Sequence, residues 1–186
     1  MDSNSENLHS FGTVPAQNYS VSPPVSSMFE GVHELLRPHI DSFNAILDEP
    51  ESLLSVCIAN LDRREIIDVN GNKITFGIEE VSVARPTSPD RDGPRAGAPI
   101  LPSECRERGI SYRGNMTATI SYQVNDGPVM RERRSMGLLP IMVKSNRCNL
   151  SASANPTGLV LAHEDPDELG GYFIVNGIER LIRLLI

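Results

Sequence analysis

The sequence has no tryptophan, only three cysteines and no long hydrophobic run. Cys57, Cys105 and Cys148 are odd in number and far apart, which argues against a disulfide framework and favours a reducing compartment. No stretch reaches the roughly 20 apolar residues that a membrane span needs. The N-terminal segment, residues 1–7, is polar and has no apolar signal region. We therefore expect neither a membrane nor a secreted location.

Metal-ligand and catalytic patterns are also missing. No two cysteines have CxxC spacing and the histidines are widely separated, so the sequence predicts no zinc site; the histidines are His9, His33, His39 and His163. It contains neither a GxSxG elbow nor a GxxxxGK[ST] phosphate loop. Asp165, Asp167 and Glu168 form an acidic cluster, which we interpret as serving the N-terminus of a helical turn rather than acid–base catalysis. The residues alone predict no catalytic constellation.

Composition favours one loop-rich domain with a flexible tail. The chain has 186 residues, 14 prolines and 14 glycines. Residues 1–27 are rich in Ser, Asn and Pro and poor in large apolar groups, so they predict a disordered tail before a folded part at 28–186. The net charge of −7 argues against a dedicated nucleic-acid-binding module, which would be basic overall. It leaves room for a local basic patch.

Helical spacing marks the first folded segment. Apolar residues recur from Phe29 to Leu47, with Ser26 or Ser27 as the expected N-cap. Pro38 should kink or restart this helix. A further helix is expected to begin at Pro50-Glu51 and to bury a set of apolar side chains: Leu53, Leu54, Cys57 and Leu61.

Strand patterns follow. An apolar stretch at 66–69 precedes Asn70-Gly71-Asn72 and residues 74–78 follow it in strict alternation, which predicts a hairpin. The change of phase at Glu79-Glu80 predicts a bulge. The five prolines of residues 85–103 predict a long loop. Residues 112–124 alternate as a strand with one buried and one wet face, and a second strand returns through 129–143, where Pro140 indicates an edge or a bulge.

The last part of the chain is dominated by turn residues. Asn155-Pro156 predicts a short helix to His163, and Gly170-Gly171 predicts a turn before a buried strand at 172–175. Asn176-Gly177 suits a type I′ turn. Residues 178–186 fit either a helix or a second hairpin strand, and the turn favours the strand. The whole pattern predicts an α+β fold, in which N-terminal helices precede a mostly antiparallel sheet.

One basic run stands out in this acidic chain, formed by Arg131, Arg133, Arg134, Lys144 and Arg147. On a strand, Arg131 and Arg133 would project to one face and Arg134 to the other. The run can be an ordinary solvated face paired with the excess acids, or a surface that meets phosphates or an acidic partner. Ser135, preceded by these arginines, also resembles a kinase site.

The run Gly170-Gly-Tyr-Phe-Ile-Val-Asn-Gly-Ile-Glu-Arg, with Leu138-Leu-Pro-Ile-Met-Val-Lys-Ser-Asn-Arg-Cys-Asn-Leu upstream, resembles the second-largest subunit of multisubunit DNA-directed RNA polymerases. The segment Pro38-His-Ile-Asp-Ser-Phe-Asn is similar to the start of that family. Pro102-Ser-Glu-Cys-Arg-Glu-Arg, Tyr112-Arg-Gly and Met142-Val-Lys-Ser resemble the RNA polymerase I branch in particular. The likeness covers about residues 28–186.

The resemblance implies the incomplete N-terminal part of the protrusion, an α+β domain beside the DNA cleft, in a chain expected to continue past Ile186. It implies a nuclear and nucleolar location, with the largest subunit, the other polymerase I subunits and the DNA template as partners. As a subunit the chain would serve a nucleotidyltransferase that makes ribosomal RNA precursor. Magnesium and zinc would belong to other parts of that polymerase, with no cofactor and no catalytic residue here. The alternative is a free-standing binding or regulatory module without polymerase activity.

Overall fold

The computed structural model describes residues 25–48, 52–90, 92, 94–150 and 155–183. Most of the predicted tail, and both Pro50 and Glu51, therefore lie outside the described residues. Within them, helices come first and an antiparallel sheet follows, with further short helices and a small hairpin. The predicted α+β class is confirmed.

Helix α1 spans Val25–Leu47 without a restart, although Pro38 lies inside it. Of the two predicted effects of Pro38, the restart is wrong, because losing one backbone donor does not outweigh the hydrogen-bonded turns on either side, and the kink stays a prediction. Ser26 and Ser27 lie within the helix, so neither is its N-cap.

Helix α2, Leu53–Ala59, is capped by Ser52, whose side chain accepts a hydrogen bond from the backbone N–H of Ser55 at 3.1 Å. Its buried residue is Ile58, and Leu54 packs against the core. The other predicted core positions are wrong, because a helix of two turns buries only one narrow stripe at i, i+4 spacing; the exposed positions are Leu53, Cys57 and Leu61.

Four antiparallel strands form the main sheet in the order β1-β2-β3-β4; they are β1 Arg64–Ile67, β2 Lys73–Val83, β3 Arg113–Val124 and β4 Met130–Pro140. The predicted bulge is confirmed by a register shift between Ile78 and Glu80. A second shift lies between Met116 and Thr117. Pro140 is the last residue of β4, which is an edge strand as predicted.

The wet face predicted for β3 is wrong at Ser121, which is 1% exposed, while Val124 at the strand end is exposed. Ser121 lies between Gly77 of β2 and Arg131 of β4. The Glu79 carboxylate approaches both Ser121 and Arg131, so long side chains cover the serine.

The connection from β2 to β3 is ordered where it is described. Thr87 and Pro99 form an antiparallel bridge, and the amide of Ile100 donates to the carbonyl of Pro86 at 3.3 Å. Helix α3, Pro102–Glu107, follows and begins with a proline at its first turn. The sequence reasoning did not predict this helix, because six residues carry too little periodicity to show it.

After β4 the chain passes through buried residues 141–143 to helix α4, Pro156–Leu161, capped by Asn155 as predicted. Strands β5, Phe173–Val175, and β6, Ile178–Arg180, then form the predicted hairpin. Asn176 and Gly177 both have positive φ, 53° and 75°, as a type I′ turn requires. The strand interpretation is confirmed for 178–180, and residues 184–186 lie outside the described part.

The core lies where helix α1, the segment after β4 and the hairpin meet. Phe43 of α1 packs edge-on against Phe173 of β5, with ring centroids 5.5 Å apart. The fully buried members of this core include Tyr112, Ile141, Val143 and Ile174. The hairpin is thus anchored to the rest of the fold through its β5 side.

Candidate functional site

The Gly170-Gly171 pair joins two distant parts of the chain. The amide of Gly171 donates to the carbonyl of Val143 at 3.0 Å, and the amide of Val143 donates to the carbonyl of Tyr172 at 2.9 Å. Gly170 has φ +72°, and a Cβ there would lie 2.8 Å from the Val143 carbonyl oxygen and 2.6 Å from the Lys144 Cβ. A glycine is needed because backbone lies against backbone.

The acidic cluster before these glycines holds a turn together. The Oδ1 atom of Asp165 accepts from the amide of Asp167 at 2.9 Å. Glu168 accepts from the amide of Gly170 at 2.8 Å and from the hydroxyl of Tyr172 at 3.1 Å. The amide of Glu168 donates to the carbonyl of Asp165 at 3.0 Å, so Asp165 begins and caps a single turn as predicted, whereas Glu168 accepts its hydrogen bonds at the end of that turn.

Arg106 of α3 is the centre of a polar network that sequence reasoning missed. Its guanidinium donates to the carboxylate of Glu164, to the hydroxyl of Tyr172 at 3.0 Å and to Glu179 at 3.2 Å. Glu164 also accepts from the amide of Ser103 at 2.7 Å. These partners lie far apart in sequence, so no spacing could have revealed them.

The surroundings favour the charged form of Arg106 but disfavour the charged form of Glu164. Burial raises the pKa of Glu164 more than the hydrogen bonds from Arg106 and Ser103 lower it, because its side chain has no exposed surface. Burial opposes the charge of Arg106, but Tyr172 and Glu164 outweigh it and raise the pKa of the guanidinium. Arg106 therefore stays charged, and the ionised form of Glu164 is stabilised by that neighbouring cation.

Asn149 ties the long β2–β3 connection to the core. Its side-chain amide donates to the carbonyls of Pro86 at 2.8 Å and Ile100 at 2.7 Å. Its backbone amide donates to the hydroxyl of Tyr112 at 2.8 Å. Burial, with Cys148 beside it, raises the pKa of Tyr112. The tyrosine is thus a buried neutral structural group.

The predicted basic residues Arg131, Arg133 and Arg134 lie on exposed edge strand β4, and we name these three the β4 basic edge. Arg131 pairs with Glu79 at 2.8 Å, which lowers the pKa of that carboxyl, and Arg134 pairs with Glu132 at 2.8 Å. Arg133 has no carboxylate partner among the described residues. Arg131 lies opposite Ser121 of β3 and Arg133 lies opposite Thr119, so these two arginines share one face of the sheet as predicted. Arg134 lies on the other face.

Lys144 and Arg147 do not join that edge. Both follow β4 on the core side, where Lys144 donates to the carbonyl of Glu168 and Arg147 donates to the carbonyl of Leu47 at 3.1 Å. The five basic residues therefore form an exposed edge and a pair that bridges chain segments.

A groove of about 660 Å³ runs between α1 and the acidic turn; it is lined by Leu36, Asp165, Asp167, Glu168, Leu169, Gly170, Tyr172, Glu179 and Leu181. In the described ranges no group of His, Cys, Asp or Glu side chains is placed to hold a metal ion. None of the helices described there is long and apolar enough to cross a membrane.

Comparison with known proteins gives a consistent result. A family model described as RNA polymerase beta subunit matches residues 34–186. The DNA-directed RNA polymerase I subunit RPA135 of Saccharomyces cerevisiae is 38% identical over 193 residues, which cover 95% of this chain and 16% of the relative. Subunit RPA2 of Neurospora crassa is 39% identical, covering 95% and 15%, and RPA2 of Homo sapiens is 37% identical, covering 83% and 13%. The chain thus spans about one sixth of these relatives or less.

Proposed function

We propose a function from one premise, that this chain belongs to the RNA polymerase beta-subunit family. We infer that it is the N-terminal portion of the second-largest subunit of RNA polymerase I and takes part in DNA-templated synthesis of ribosomal RNA precursor. The observation that carries this is the similarity over 95% of the chain to relatives named as polymerase I subunits. The nucleus and nucleolus, and the largest subunit as a partner, follow from the same proposal.

Its role in that enzyme would be scaffolding at the protrusion, without catalytic residues of its own. The residues that carry the family likeness support this, since Gly170, Asn149 and Lys144 all form contacts within the chain. Nucleotidyl transfer, with its magnesium, would reside in the assembled polymerase.

The surface we propose for contact with DNA or an acidic partner is the β4 basic edge. Arg131 and Arg134 are 64% and 63% exposed at their side chains. Both already have acidic partners, so Arg133 offers the least compensated charge to a phosphate. Lys144 and Arg147 form their contacts within the fold, so their contribution to this surface would be indirect.

Assembly is tested first. The chain, tagged and expressed in cells, is purified from nuclear extract and its partners are identified by mass spectrometry. The proposal expects the polymerase I largest subunit to co-purify in stoichiometric amount. A soluble, stable chain that brings down no polymerase subunit would instead support a free-standing binding module.

The basic edge is tested in the same purified complex. A fluorescent DNA duplex is titrated at several salt concentrations with wild type and with Arg131→Ala combined with Arg133→Ala. Each lost phosphate contact should reduce the salt slope by about 0.9. Arg37→Ala with Arg95→Ala removes the same charge from exposed pairs elsewhere and is the matched control. Equal slopes for the variant and this control would refute the contact.

A further inference from the structure

Ser135 follows Arg131, Arg133 and Arg134 on strand β4 and is exposed. We propose that Ser135 is a phosphorylation site for an arginine-directed protein kinase, and that the phosphate it receives pairs with Arg133. The proposal concerns modification of the β4 basic edge and holds whether or not that edge contacts DNA.

The strand is well placed to be presented to a kinase. Kinase active sites take extended substrate segments, and β4 is extended and pairs only with β3 in the described structure. Residues 130–138 are all exposed, so lifting them from the edge uncovers little apolar surface. Gly137, at φ +131° beside the register shift, weakens the pairing next to the serine.

The surroundings of Ser135 also fit a phosphate. Ser135 lies opposite Thr117 and Arg133 opposite Thr119, so both side chains point to the same face, about 7 Å apart along the strand. A long guanidinium reaches over that distance. The Ser135 hydroxyl now donates to the Oδ1 atom of Asn115 at 2.7 Å. Rotation of that amide would turn its N–H donors toward a phosphate.

The reaction consumes ATP. The Oγ atom of Ser135 bonds to the γ-phosphorus of MgATP as the bond to the ADP oxygen breaks, and the hydroxyl proton passes to the base of the kinase. The edge now carries three arginines against Glu79 and Glu132, a net charge of +1. A phosphate adds about −2 and makes the edge net negative. Modification would therefore turn a weakly attractive surface for polyanions into a repulsive one.

Ser88 provides an internal comparison, because Arg85 lies three positions upstream of it, whereas the arginines before Ser135 lie one, two and four positions upstream. Ser88 is only half-buried, yet its hydroxyl donates to the Asp90 carboxylate at 2.8 Å. The guanidinium of Arg85 donates to the carbonyl of Cys148 at 2.6 Å and is held against the fold. The structure thus distinguishes two serines that each follow at least one arginine within four positions.

The test incubates the complete chain with the catalytic subunit of cAMP-dependent protein kinase and MgATP, and maps the phosphate by mass spectrometry. The expected result is close to stoichiometric phosphate on Ser135, a loss to background in Ser135→Ala and unchanged labelling in Ser88→Ala. Background labelling at Ser135 in the folded chain, or phosphate placed mainly on Ser88, would overturn the proposal.

The contact between the phosphate on Ser135 and Arg133 is tested separately, by measuring the second pKa of the phosphoserine with ³¹P NMR. Contact with Arg133 should lower the second pKa of the phosphoserine by about 0.3 to 0.5 pH units relative to the same phosphoprotein carrying Arg133→Gln. Arg37→Gln, at an exposed position on α1, should leave that pKa unchanged. An identical phosphate pKa in wild type and Arg133→Gln would refute the pairing. Neither readout depends on polymerase assembly or DNA binding.

Discussion

The guanidinium of Arg106 donates to the carboxylate of Glu164, and that carboxylate has no exposed surface while the arginine keeps 26% of its side chain in solvent. The pair connects helix α3 to the segment that follows α4. Through Tyr172 and Glu179 the same arginine reaches both strands of the C-terminal hairpin region. Arg106 therefore holds in place the run beginning at Gly170 that resembles the polymerase family, although it lies more than sixty positions upstream of Tyr172.

Removing the arginine should destabilise the fold more than removing both charges. Arg106→Met leaves Glu164 buried without its cation, which we expect to cost about 3 kcal/mol in the free energy of unfolding at neutral pH. Adding Glu164→Gln should recover part of this loss, because a neutral amide is cheaper to bury and its oxygen still accepts from the Ser103 amide. Urea denaturation of the two variants provides the comparison. A double variant less stable than Arg106→Met would contradict this account.

The same pair predicts a pH dependence. Burial raises the pKa of Glu164, so the folded state binds its proton more tightly than the unfolded state. A group of this kind stabilises the fold below its unfolded pKa, and that stability is lost as pH rises through the folded pKa. Without Arg106 the folded pKa should rise further. The deficit of Arg106→Met should consequently shrink as pH falls toward 5, which denaturation at a series of pH values would show.

Gly170 should not tolerate a side chain. Gly170→Ala combines an unfavourable positive φ with a Cβ 2.8 Å from the carbonyl oxygen of Val143. The matched control is Gly71→Ala, at φ +79° with nothing within 4 Å of the added Cβ, which should cost about 1–2 kcal/mol. Thermal unfolding should show a clearly larger loss for Gly170→Ala. Equal losses would mean that φ alone, and not close backbone contact, selects glycine there.

Local signals in the sequence were enough to predict the hairpins and the bulge. Asn176-Gly177 predicts its own turn, and the shifted alternation at Glu79-Glu80 predicts its own register change, because turn geometry and strand period act over a few residues. The Arg106 network and the placement of Lys144 could not be predicted in this way. Their partners are set by tertiary packing, which leaves no periodic trace in the chain.

Charge patterning was informative only in part. The run of arginines predicts an exposed strand face, and β4 is exposed from Met130 to Leu138. It does not reveal that Arg131 reaches across to Glu79 of β2, a pairing between non-adjacent strands of the sheet. The sequence cannot show how much of a basic run is already neutralised, because that depends on which acids the fold brings beside it.

Asn149 should control the order of the β2–β3 connection. Asn149→Ala removes both donors to the carbonyls of Pro86 and Ile100 and leaves those carbonyls without side-chain partners, at a cost of about 1–3 kcal/mol. Hydrogen exchange at the amides of Ser88 and Ile100 should then become faster. Asn70→Ala, at an exposed turn, is the control and should not change this exchange. Unchanged protection in Asn149→Ala would show that the Thr87–Pro99 bridge orders the connection alone.

The three thiols should differ sharply in reactivity. Cys57 is exposed, whereas Cys105 and Cys148 are buried, and burial raises the pKa of Cys105 from its ordinary 9.0 to about 11. Since the thiolate is the reactive form, Cys105 should remain protonated and unreactive at pH 8 in the folded chain. Titration with 5,5′-dithiobis(2-nitrobenzoate) should therefore modify one thiol in the native protein and all three in denaturant. Cys57→Ser should abolish the native reaction, and fast modification of either remaining thiol, Cys105 or Cys148, in that variant would show that the core around Tyr112 opens readily.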